Sequence, residues 1–381
     1  MNWLGTILAL ALIIGVFIDA FEVMLLPRRV RHAYRLARLY YRSAWKLWRG
    51  LANLYRAGRW RNGFLSVFGP LSLFGLLTVW ATALIGGFAL LHFSIATPIT
   101  AAGERDESFG TYLYFSGTTF FTLGYGDVVP TGVLGRILSV TEAGIGFGFL
   151  AVVISYLPVL YQAFSRREIT ISLLDARAGS PPSAGELLLR LGRARSLANA
   201  APLLTECEQW AAQLLESHVS FPVLSYYRSQ HDNQSWVATL TTILDATSLI
   251  LSCIDGPDDY QARVTFAMAR HAAVDLGLVF RARPLPLEVD RLPQHELELL
   301  RDSLRGAGLP VREGPEVAKA LGELRAIYEP FVHALSSFFL FPLPSFRASS
   351  SAVDNWQTSP FMERSPGLRN LPAPADGDEH F

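Results

Sequence analysis

Acidic residues are missing from a long part of the sequence: no aspartate or glutamate occurs between Pro27 and Gly103. The chain as a whole is neutral, so this absence leaves a local excess of positive charge. The basic residues of the region are Arg28, Arg29, Arg31, Arg35, Arg38, Arg42, Lys46, Arg49, Arg56, Arg59 and Arg61. Because lysine and arginine accumulate in the cytoplasmic segments beside membrane spans, this block predicts a cytoplasmic segment at a membrane.

Cysteine and enzyme-like motifs are scarce as well. Only Cys207 and Cys253 occur among the 381 residues, and no Cys-x-x-Cys pair supports a disulfide framework or a zinc site. No Gly-x-Gly-x-x-Gly motif follows a predicted strand, which argues against a Rossmann-type regulatory domain. No nucleophile–base pattern stands out, and we expect neither enzymatic activity nor a nucleic-acid partner.

Long apolar runs, in contrast, are frequent. Hydrophobic residues make up 50% of the chain, and its mean hydropathy is +0.27. About 20 apolar residues suffice to cross a bilayer, and three runs reach that length: residues 3–26, 64–93 and 133–164. The first run lacks the basic start and the small-residue cleavage site of a signal peptide, so we interpret domain 1–27 as an N-terminal transmembrane helix.

The charge pattern also predicts the orientation of the chain. If the basic block is cytoplasmic, the N-terminus and residues 94–132 lie outside, and the chain returns to the cytoplasm at Arg166 and Arg167. Arginine and alanine are abundant whereas lysine is nearly absent, a composition typical of high-GC bacteria. We therefore expect a multi-pass protein of the bacterial inner (plasma) membrane with a cytoplasmic C-terminus.

The basic segment 28–62 has two interpretations. Its cations recur every three or four residues in the series Arg35, Arg38, Arg42, Lys46 and Arg49, which is compatible with a voltage-sensing helix. Only one span precedes this series, however, and Tyr40, Trp45 and Trp48 interrupt it. We favour an amphipathic cytoplasmic helix that places residues 28–61 on the anionic membrane lipids of the inner leaflet.

Residues after Ser165 have the pattern of a water-soluble helical domain. Ser183 and Glu186 have the spacing of a capping box. Helical periodicity follows in segments near 184–199, 202–217, 235–253, 258–281, 293–305 and 315–341. We predict an all-α cytoplasmic regulatory domain over 168–346, followed by a disordered tail over 347–381.

Several polar residues of this domain have alternative interpretations. Residues 236–253 approach the length of a span, but the central Asp245 and the threonines favour a buried core helix. His271 and Asp275 stand one helical turn apart, and a second acidic group is formed by Asp255, Asp258 and Asp259. A ligand or metal site is one interpretation of these groups, and a solvated helix face with a helix N-cap is the simpler one.

The segment TTFFTLGYGDVVP, residues 118–130, lies between the second and third apolar runs. Glycine at alternate positions, Gly124 and Gly126, permits backbone conformations that other residues resist. Such a backbone can turn successive carbonyl groups toward one axis. Non-helical backbone at membrane depth is tolerated only inside protein or along a water-filled path.

Residues 64–166 resemble bacterial potassium channels with two transmembrane helices and one pore loop, whose filter motif is Thr-Val-Gly-Tyr-Gly. The resemblance implies a membrane all-α fold with a pore domain over 63–167, here preceded by an extra N-terminal span. Its parts are an outer helix 64–93, a pore helix 110–121, a filter 122–127 and an inner helix 133–164.

The same resemblance implies the site residues and the function. Permeant K⁺ ions are coordinated by Thr122, Leu123, Gly124 and Tyr125, with Gly126 and Asp127 in support. Leu123 replaces the usual valine, at a position where the carbonyl group acts. One chain supplies one pore loop and the carbonyl rings need four, so the protein is expected to be a homotetramer.

We therefore expect a potassium-selective channel gated by the cytoplasmic helical domain, whose ligand is unassigned. A weakly selective cation channel and a non-conducting, membrane-anchored sensor are the alternatives. The gating candidates are Gly144, Gly146 and Gly148, as hinges or as close-packing positions, and Pro158, as a kink or as the end of the inner helix. The gate itself is expected between residues 154 and 161.

Ionisable residues inside the spans are candidates for functional groups. Glu142 is expected behind the filter, either paired with Thr118 or Thr119 or protonated in the packing. Asp19 and Glu22 lie late in the first span, where we expect them to pair with the nearby arginines.

Overall fold

The computed structural model describes residues 2–24, 36–56, 58–101, 104–105, 108–194, 200–231, 233–255, 259–285 and 290–347. The chain divides into two compact units: a membrane unit, residues 1–163 with 220–227, and a C-terminal unit, residues 164–219 with 228–381. Within the described residues, the helices long and apolar enough to cross a membrane are Trp3–Met24, Arg59–Ser94, Val133–Ala178 and Trp236–Cys253. The predicted all-α membrane fold with a further helical C-terminal region is confirmed.

The membrane unit is built from helices of very different length. In chain order they are α1 (Trp3–Met24), α2 (Leu36–Ala52), α3 (Arg59–Ser66), α4 (Phe68–Ser94), α5 (Phe109–Phe120) and the first part of α6 (Val133–Ala178). A short break at Val67 separates α3 from α4, so the predicted outer helix 64–93 begins in one helix and continues in the other.

A buried carboxylate joins α1 to α4. The Oδ2 atom of Asp19 accepts hydrogen bonds of 2.9 Å from the indole N–H of Trp80 and of 2.9 Å from the backbone N–H of Ala37. Both bonds are charge-assisted when Asp19 is ionised, and such bonds are roughly twice as strong as neutral ones. The sequence led us to expect an arginine partner for Asp19, and residues 25–35, which hold several arginines, lie outside the described residues.

Helix α2 has an aromatic face and a mixed apolar and cationic face. Trp45 is buried, with its ring 4.9 Å from that of Phe68, and Trp48 stacks at 4.4 Å on Phe64. The opposite side of the helix exposes Leu39 and Leu47 together with two cations, Arg42 and Lys46. The predicted amphipathic segment is thus a helix from Leu36 onward, and residues 28–35 lie outside the described residues.

A small antiparallel sheet ties together the two ends of the loop between α4 and α6. Its strands are β1 (Ile99–Ala101), β2 (Glu104–Arg105) and β3 (Val128–Pro130), in the order β2-β1-β3. Strand β1 pairs with β3 in the register Ile99↔Pro130, Thr100↔Val129 and Ala101↔Val128. The sequence analysis did not predict this sheet, because strands of two or three residues are too short to show an alternating pattern.

Helix α6 continues far beyond the predicted inner helix 133–164. It contains 46 residues and ends at Ala178, with Pro158 in its interior. At about 1.5 Å per residue its length is about 69 Å, more than twice the roughly 30 Å of a hydrocarbon core. The prediction that Pro158 ends the helix is therefore wrong. Proline has no N–H to donate to the carbonyl oxygen four residues earlier, and α6 continues without that hydrogen bond. A kink at this position stays a prediction.

The C-terminal unit is helical. Its helices after α6 are α7 (Ala184–Arg193), α8 (Ala200–Ser220), α9 (Trp236–Cys253), α10 (Asp259–Phe280), α11 (Gln294–Gly306), α12 (Pro315–Ala326) and α13 (Glu329–Phe339). The predicted helix start at Ser183 is confirmed, since its hydroxyl accepts a 3.3 Å hydrogen bond from the N–H of Glu186. Helix α9 is 89% buried inside the structure, which agrees with the predicted core helix.

Buried charges pair with one another around α9. Arg291 donates to both carboxylate oxygens of Asp245, at 2.5 and 3.2 Å, and to Glu329 at 3.2 Å. Arg325 donates to the same Glu329 at 3.0 Å, and the hydroxyl of Tyr328 donates to Asp245 at 2.6 Å. Removing one member of such a network leaves its partners charged and unpaired, at a typical cost of about 3–5 kcal/mol.

This network also holds the last described residues of the chain. The ring of Phe346 is buried, and the guanidinium groups of Arg291 and Arg325 lie 4.9 and 5.3 Å from its centre. The carbonyl oxygen of Phe346 accepts a 2.8 Å hydrogen bond from the N–H of Gly185 in α7. The predicted disordered tail, from residue 348 onward, lies outside the described residues.

A buried histidine links α8 to the rest of the C-terminal unit. His218 packs against Trp236 with ring centres 5.2 Å apart, and its Nε2 lies 3.3 Å from Nη1 of Arg167. Burial and the charge of Arg167 hold the pKa of His218 well below its usual 6.5. The folded protein therefore keeps His218 neutral at pH values where an unfolded chain binds a proton.

This difference predicts a loss of stability in mild acid. Below about pH 6.5 the unfolded state binds more protons than the folded state, so the free energy of unfolding falls as the pH is lowered. We expect the melting temperature of the full-length protein in detergent to drop between about pH 7.5 and 5.5, and His218→Gln to weaken that dependence without removing it. Part of the pH dependence of the melting temperature remains in that variant because burial also lowers the pKa of His333.

The exposed His271 supplies the matched control. Its side chain is 59% exposed, and solvent screens its 3.8 Å contact with Asp275, so His271→Gln should change the pH dependence of the melting temperature much less than His218→Gln. Equal slopes for wild type, His218→Gln and His271→Gln would contradict the assignment to His218.

Candidate pore-loop site

Helix α5 is held in place by hydrogen bonds at its start and along one side. The hydroxyl of Ser108 caps the helix by accepting a 3.3 Å hydrogen bond from the N–H of Thr111. The hydroxyl of the fully buried Tyr112 donates to the carbonyl oxygen of Thr97, just after α4, at 2.6 Å. The predicted pore helix 110–121 is present as Phe109–Phe120.

Two backbone hydrogen bonds connect the residues that follow α5 to its last turn. The N–H of Thr122 donates to the carbonyl oxygen of Thr119 at 3.0 Å, and the N–H of Leu123 donates to that of Thr118 at 2.8 Å. The Thr118 hydroxyl, expected behind the filter, donates instead to the carbonyl oxygen of Phe115 at 2.9 Å. These are the last backbone N–H groups that donate to carbonyl oxygens of α5. The backbone after Leu123 is irregular.

Backbone conformation alternates along the predicted filter. The φ angles are +56° at Thr122, +56° at Gly124 and +77° at Gly126, so every second residue is left-handed. In an ordinary extended chain successive carbonyl groups point to opposite sides, and inverting every second residue turns them to the same side. Glycine adopts this conformation freely, whereas a β-branched residue such as Thr122 is strained by about 1–3 kcal/mol.

The side chains of the predicted filter are only partly packed within one chain. Leu123 and Tyr125 are both exposed. Asp127, expected to anchor the outer end, accepts a 2.8 Å hydrogen bond from the hydroxyl of Tyr114 in α5. The sequence analysis missed Tyr114, since nothing local indicates that two residues so far apart in sequence are partners.

A buried carboxyl group lies behind α5. Glu142 of α6 is fully buried, and its Oε1 is hydrogen-bonded to the hydroxyl of Ser116, which also donates to the carbonyl oxygen of Ile85 at 2.8 Å. A hydroxyl has one proton to donate, so both bonds form together when Glu142 is protonated and donates to Ser116. Glu142 was expected to pair with Thr118 or Thr119, and Ser116 takes that place in the structure.

His92 completes this buried group. It lies near the end of α4 with its Nε2 atom 3.9 Å from Oε2 of Glu142, and its Nδ1 atom is 3.0 Å from the hydroxyl of Thr97. Both His92 and Glu142 are fully buried. Polar contacts therefore connect α4, α5 and α6 directly behind the predicted filter, and neither His92 nor Ser116 was recognised from the sequence.

The three glycines of α6 have different surroundings. A Cβ atom added at Gly146 would overlap the carbonyl oxygen of Phe120, the last residue of α5. A Cβ atom at Gly144 or Gly148 would meet no other atom of this chain within 4 Å. Close packing therefore explains Gly146, whereas a hinge role for any of the three stays a prediction.

Comparison with known proteins agrees with this geometry. Residues 78–162, which run from α4 through α5 and the predicted filter into α6, match the family described as "Ion channel". This stretch is therefore similar to the pore domain of an ion channel. The apolar helices make the chain a multi-pass membrane protein.

Curated relatives extend the comparison. The chain is 26% identical over 221 residues to the "Uncharacterized membrane protein YdjJ" of Bacillus subtilis (strain 168), covering 58% of this chain and 62% of the relative. It is 34% and 32% identical over 89 residues to "Protein LctB" of Geobacillus stearothermophilus and of Bacillus caldotenax, covering 21% of this chain. The chain spans 62% to 66% of the length of these relatives. No solved structure matches the chain.

The contact at Gly146 predicts a selective sensitivity of the pore domain. We expect Gly146→Ala to lower the free energy of unfolding by about 1–3 kcal/mol, because the added methyl group must displace the end of α5. Gly144→Ala is the matched control, since it adds the same methyl group to the same helix in open space. Thermal unfolding of the detergent-solubilised proteins measures both effects. Equal melting temperatures for the two variants would show that α5 does not pack on Gly146.

Proposed function

We propose that the chain forms a homotetrameric channel that conducts K⁺ passively and selectively, with residues 122–127 as the selectivity filter. The alternation of positive φ at Thr122, Gly124 and Gly126 is the observation that carries this proposal. Carbonyl groups turned to one side form the oxygen rings that replace the hydration shell of a potassium ion. The coordinating residues are Thr122, Leu123, Gly124 and Tyr125, supported by Gly126 and Asp127.

An apolar stripe on α6 supports assembly around the pore. Five residues at intervals of seven are between 62% and 75% exposed in the single chain: Val133, Val140, Phe147, Ile154 and Tyr161. Residues seven apart lie on one face of a helix, so these side chains form a continuous apolar surface. Neighbouring copies of the chain and lipid would cover it. Four copies of α5 would also direct their negative C-terminal dipole ends toward a bound cation.

Loss of conduction in a filter variant tests the proposal directly. We expect Gly126→Ala to abolish K⁺ flux into proteoliposomes, because a Cβ atom disfavours the φ of +77° found there, while tetramer assembly is retained. Gly110→Ala in α5 is the matched control, where the nearest atom to an added Cβ is 4.0 Å away and the flux should persist.

Wild-type recordings under K⁺/Na⁺ bi-ionic conditions separate the alternatives. A reversal potential far toward the K⁺ equilibrium value supports the selective channel, whereas a value near zero identifies a weakly selective cation channel. No current from correctly assembled wild-type protein would leave a membrane-anchored sensor. K⁺ currents of normal size from Gly126→Ala would remove the filter assignment.

Helix α2 is proposed to lie on the anionic lipids of the cytoplasmic leaflet, with the N-terminus of the chain outside the inner membrane. Its exposed Leu39 and Leu47 suit the boundary between headgroups and acyl chains, and the neighbouring Arg42 and Lys46 suit the lipid phosphates. Each cation near such a surface contributes about 1 kcal/mol. The C-terminal unit is proposed to be the cytoplasmic gating domain, with a ligand that the sequence does not name.

Charge removal from α2 distinguishes lipid binding from voltage sensing. We expect Arg42→Gln combined with Lys46→Gln to weaken the dependence of channel activity on anionic lipid, with a shallow voltage dependence before and after the change. In a voltage-sensing helix, each removed charge would reduce the energetic coupling of channel opening to the membrane potential by about 2.3 kcal/mol per 100 mV. The control Lys319→Gln, at an exposed position of α12, should alter neither property. A steep wild-type voltage dependence that flattens in the double variant would contradict lipid binding.

A further inference from the structure

A short segment between α8 and α9 belongs to the membrane unit although the helices on both sides of it belong to the C-terminal unit. Residues 220–227 group with residues 1–163, and they contain the 3-10 helix Pro222–Tyr226. Four consecutive residues in it, Val223, Leu224, Ser225 and Tyr226, are buried. We call residues 221–227 the docking segment.

One end of the docking segment packs against α2 and α4. The ring of Tyr226 lies 5.1 Å from that of Trp45 and 5.1 Å from that of Phe68, and it stacks at 5.8 Å on Tyr41. The next residue, Tyr227, fits against Gly69, where an added Cβ atom would lie 2.6 Å from the tyrosine ring. Aromatic side chains in such edge and stacked arrangements hold one another in a defined geometry.

The other end of the docking segment contacts α6. The ring of Phe221 lies 5.6 Å from that of Tyr156 in an edge-to-face arrangement. Tyr156 is buried, whereas Ile154 and Tyr161 nearby on the same helix are strongly exposed. This contact falls within residues 154–161, where the gate of the proposed channel is expected.

We propose that the docking segment couples the C-terminal unit to α6 by holding Tyr156 in a fixed relation to α2 and α4. The chain on both sides of residues 220–227 belongs to the C-terminal unit, so a rearrangement there pulls on the segment through covalent bonds. Movement of α6 at Tyr156 must either carry the segment along or break its aromatic contacts. The docked and undocked states therefore differ in the position of α6. This inference rests on the proposed function for its effect on current, and its effect on α6 is independent of it.

The first experiment measures α6 itself. The probe is the rate of maleimide modification of Ile154→Cys, combined with Phe221→Leu or Tyr226→Ala in the full-length protein after Cys207 and Cys253 are changed to Ser. We expect both docking variants to change this rate at least about fivefold, the lower end of typical coupling between sites. Tyr226→Phe keeps the ring and should restore the wild-type rate. Tyr260→Ala removes an exposed aromatic ring from α10 and is the matched control.

Phe221→Leu removes the ring that meets Tyr156 with little loss of volume, so it remains informative if Tyr226→Ala fails to assemble. If Phe221→Leu leaves the rate of maleimide modification at Ile154→Cys unchanged, the proposed coupling is overturned, whatever current the protein carries. A changed rate supports it even if the wild-type protein carries no current, in which case the proposed function alone fails.

The second experiment measures gating in single-channel recordings. We expect Phe221→Leu to change the open probability at least about fivefold in either direction, with the K⁺/Na⁺ reversal potential unchanged. An unchanged open probability together with a changed maleimide rate would overturn the part of the proposal that links α6 at Tyr156 to the gate. A shifted reversal potential would show that the segment acts on the filter instead.

Discussion

The backbone of residues 122–127 sets the main constraint on the membrane unit, because it lies between apolar helices without forming a helix. Amide and carbonyl groups at membrane depth need partners inside the protein or along water. The first amides of the segment still bond to carbonyls of α5, at Thr118 and Thr119. Beyond them the backbone has positive φ angles at alternate residues, Gly124 and Gly126. A path filled with water and ions suits this arrangement, and the ion-channel family matched by residues 78–162 agrees with it.

The helices around α5 fix its position through polar contacts. Each neighbour contributes one polar contact: the carbonyl oxygen of Ile85 from α4 accepts from Ser116, and Glu142 from α6 bonds to the same hydroxyl. Tyr112 is tied to the end of α4 through the Thr97 carbonyl oxygen. Hydrogen bonds between buried polar groups favour one packing among many, since breaking them would leave those groups unpaired in an apolar environment. Residues 122–127 follow α5 directly, so the contacts that position α5 also position them.

Local patterns predicted the spans and helix α5, because hydropathy and helical periodicity are properties of neighbouring residues. Partners distant in sequence were not predictable in this way. Asp19 bonds to Trp80, Glu142 to Ser116, and Tyr226 packs on Trp45, and no periodicity encodes those pairs. The prediction that Pro158 ends the inner helix was wrong for a related reason: a proline disfavours helix locally, and the sequence around it does not show that α6 continues to Ala178. The short strands escaped notice because their pairing, rather than their composition, defines them.

Because β1 pairs with β3, insertions and deletions should be tolerated differently before and after α5. Side chains alternate between the faces of a strand, so one residue inserted between Asp127 and Val128 would either exchange the faces of β3 or displace the end of the filter. An extra residue between β2 and α5, by contrast, lies outside the register that pairs β1 with β3. Length variation among descendants of this sequence should therefore collect between β2 and α5, with the stretch from Thr122 to Pro130 kept at constant length.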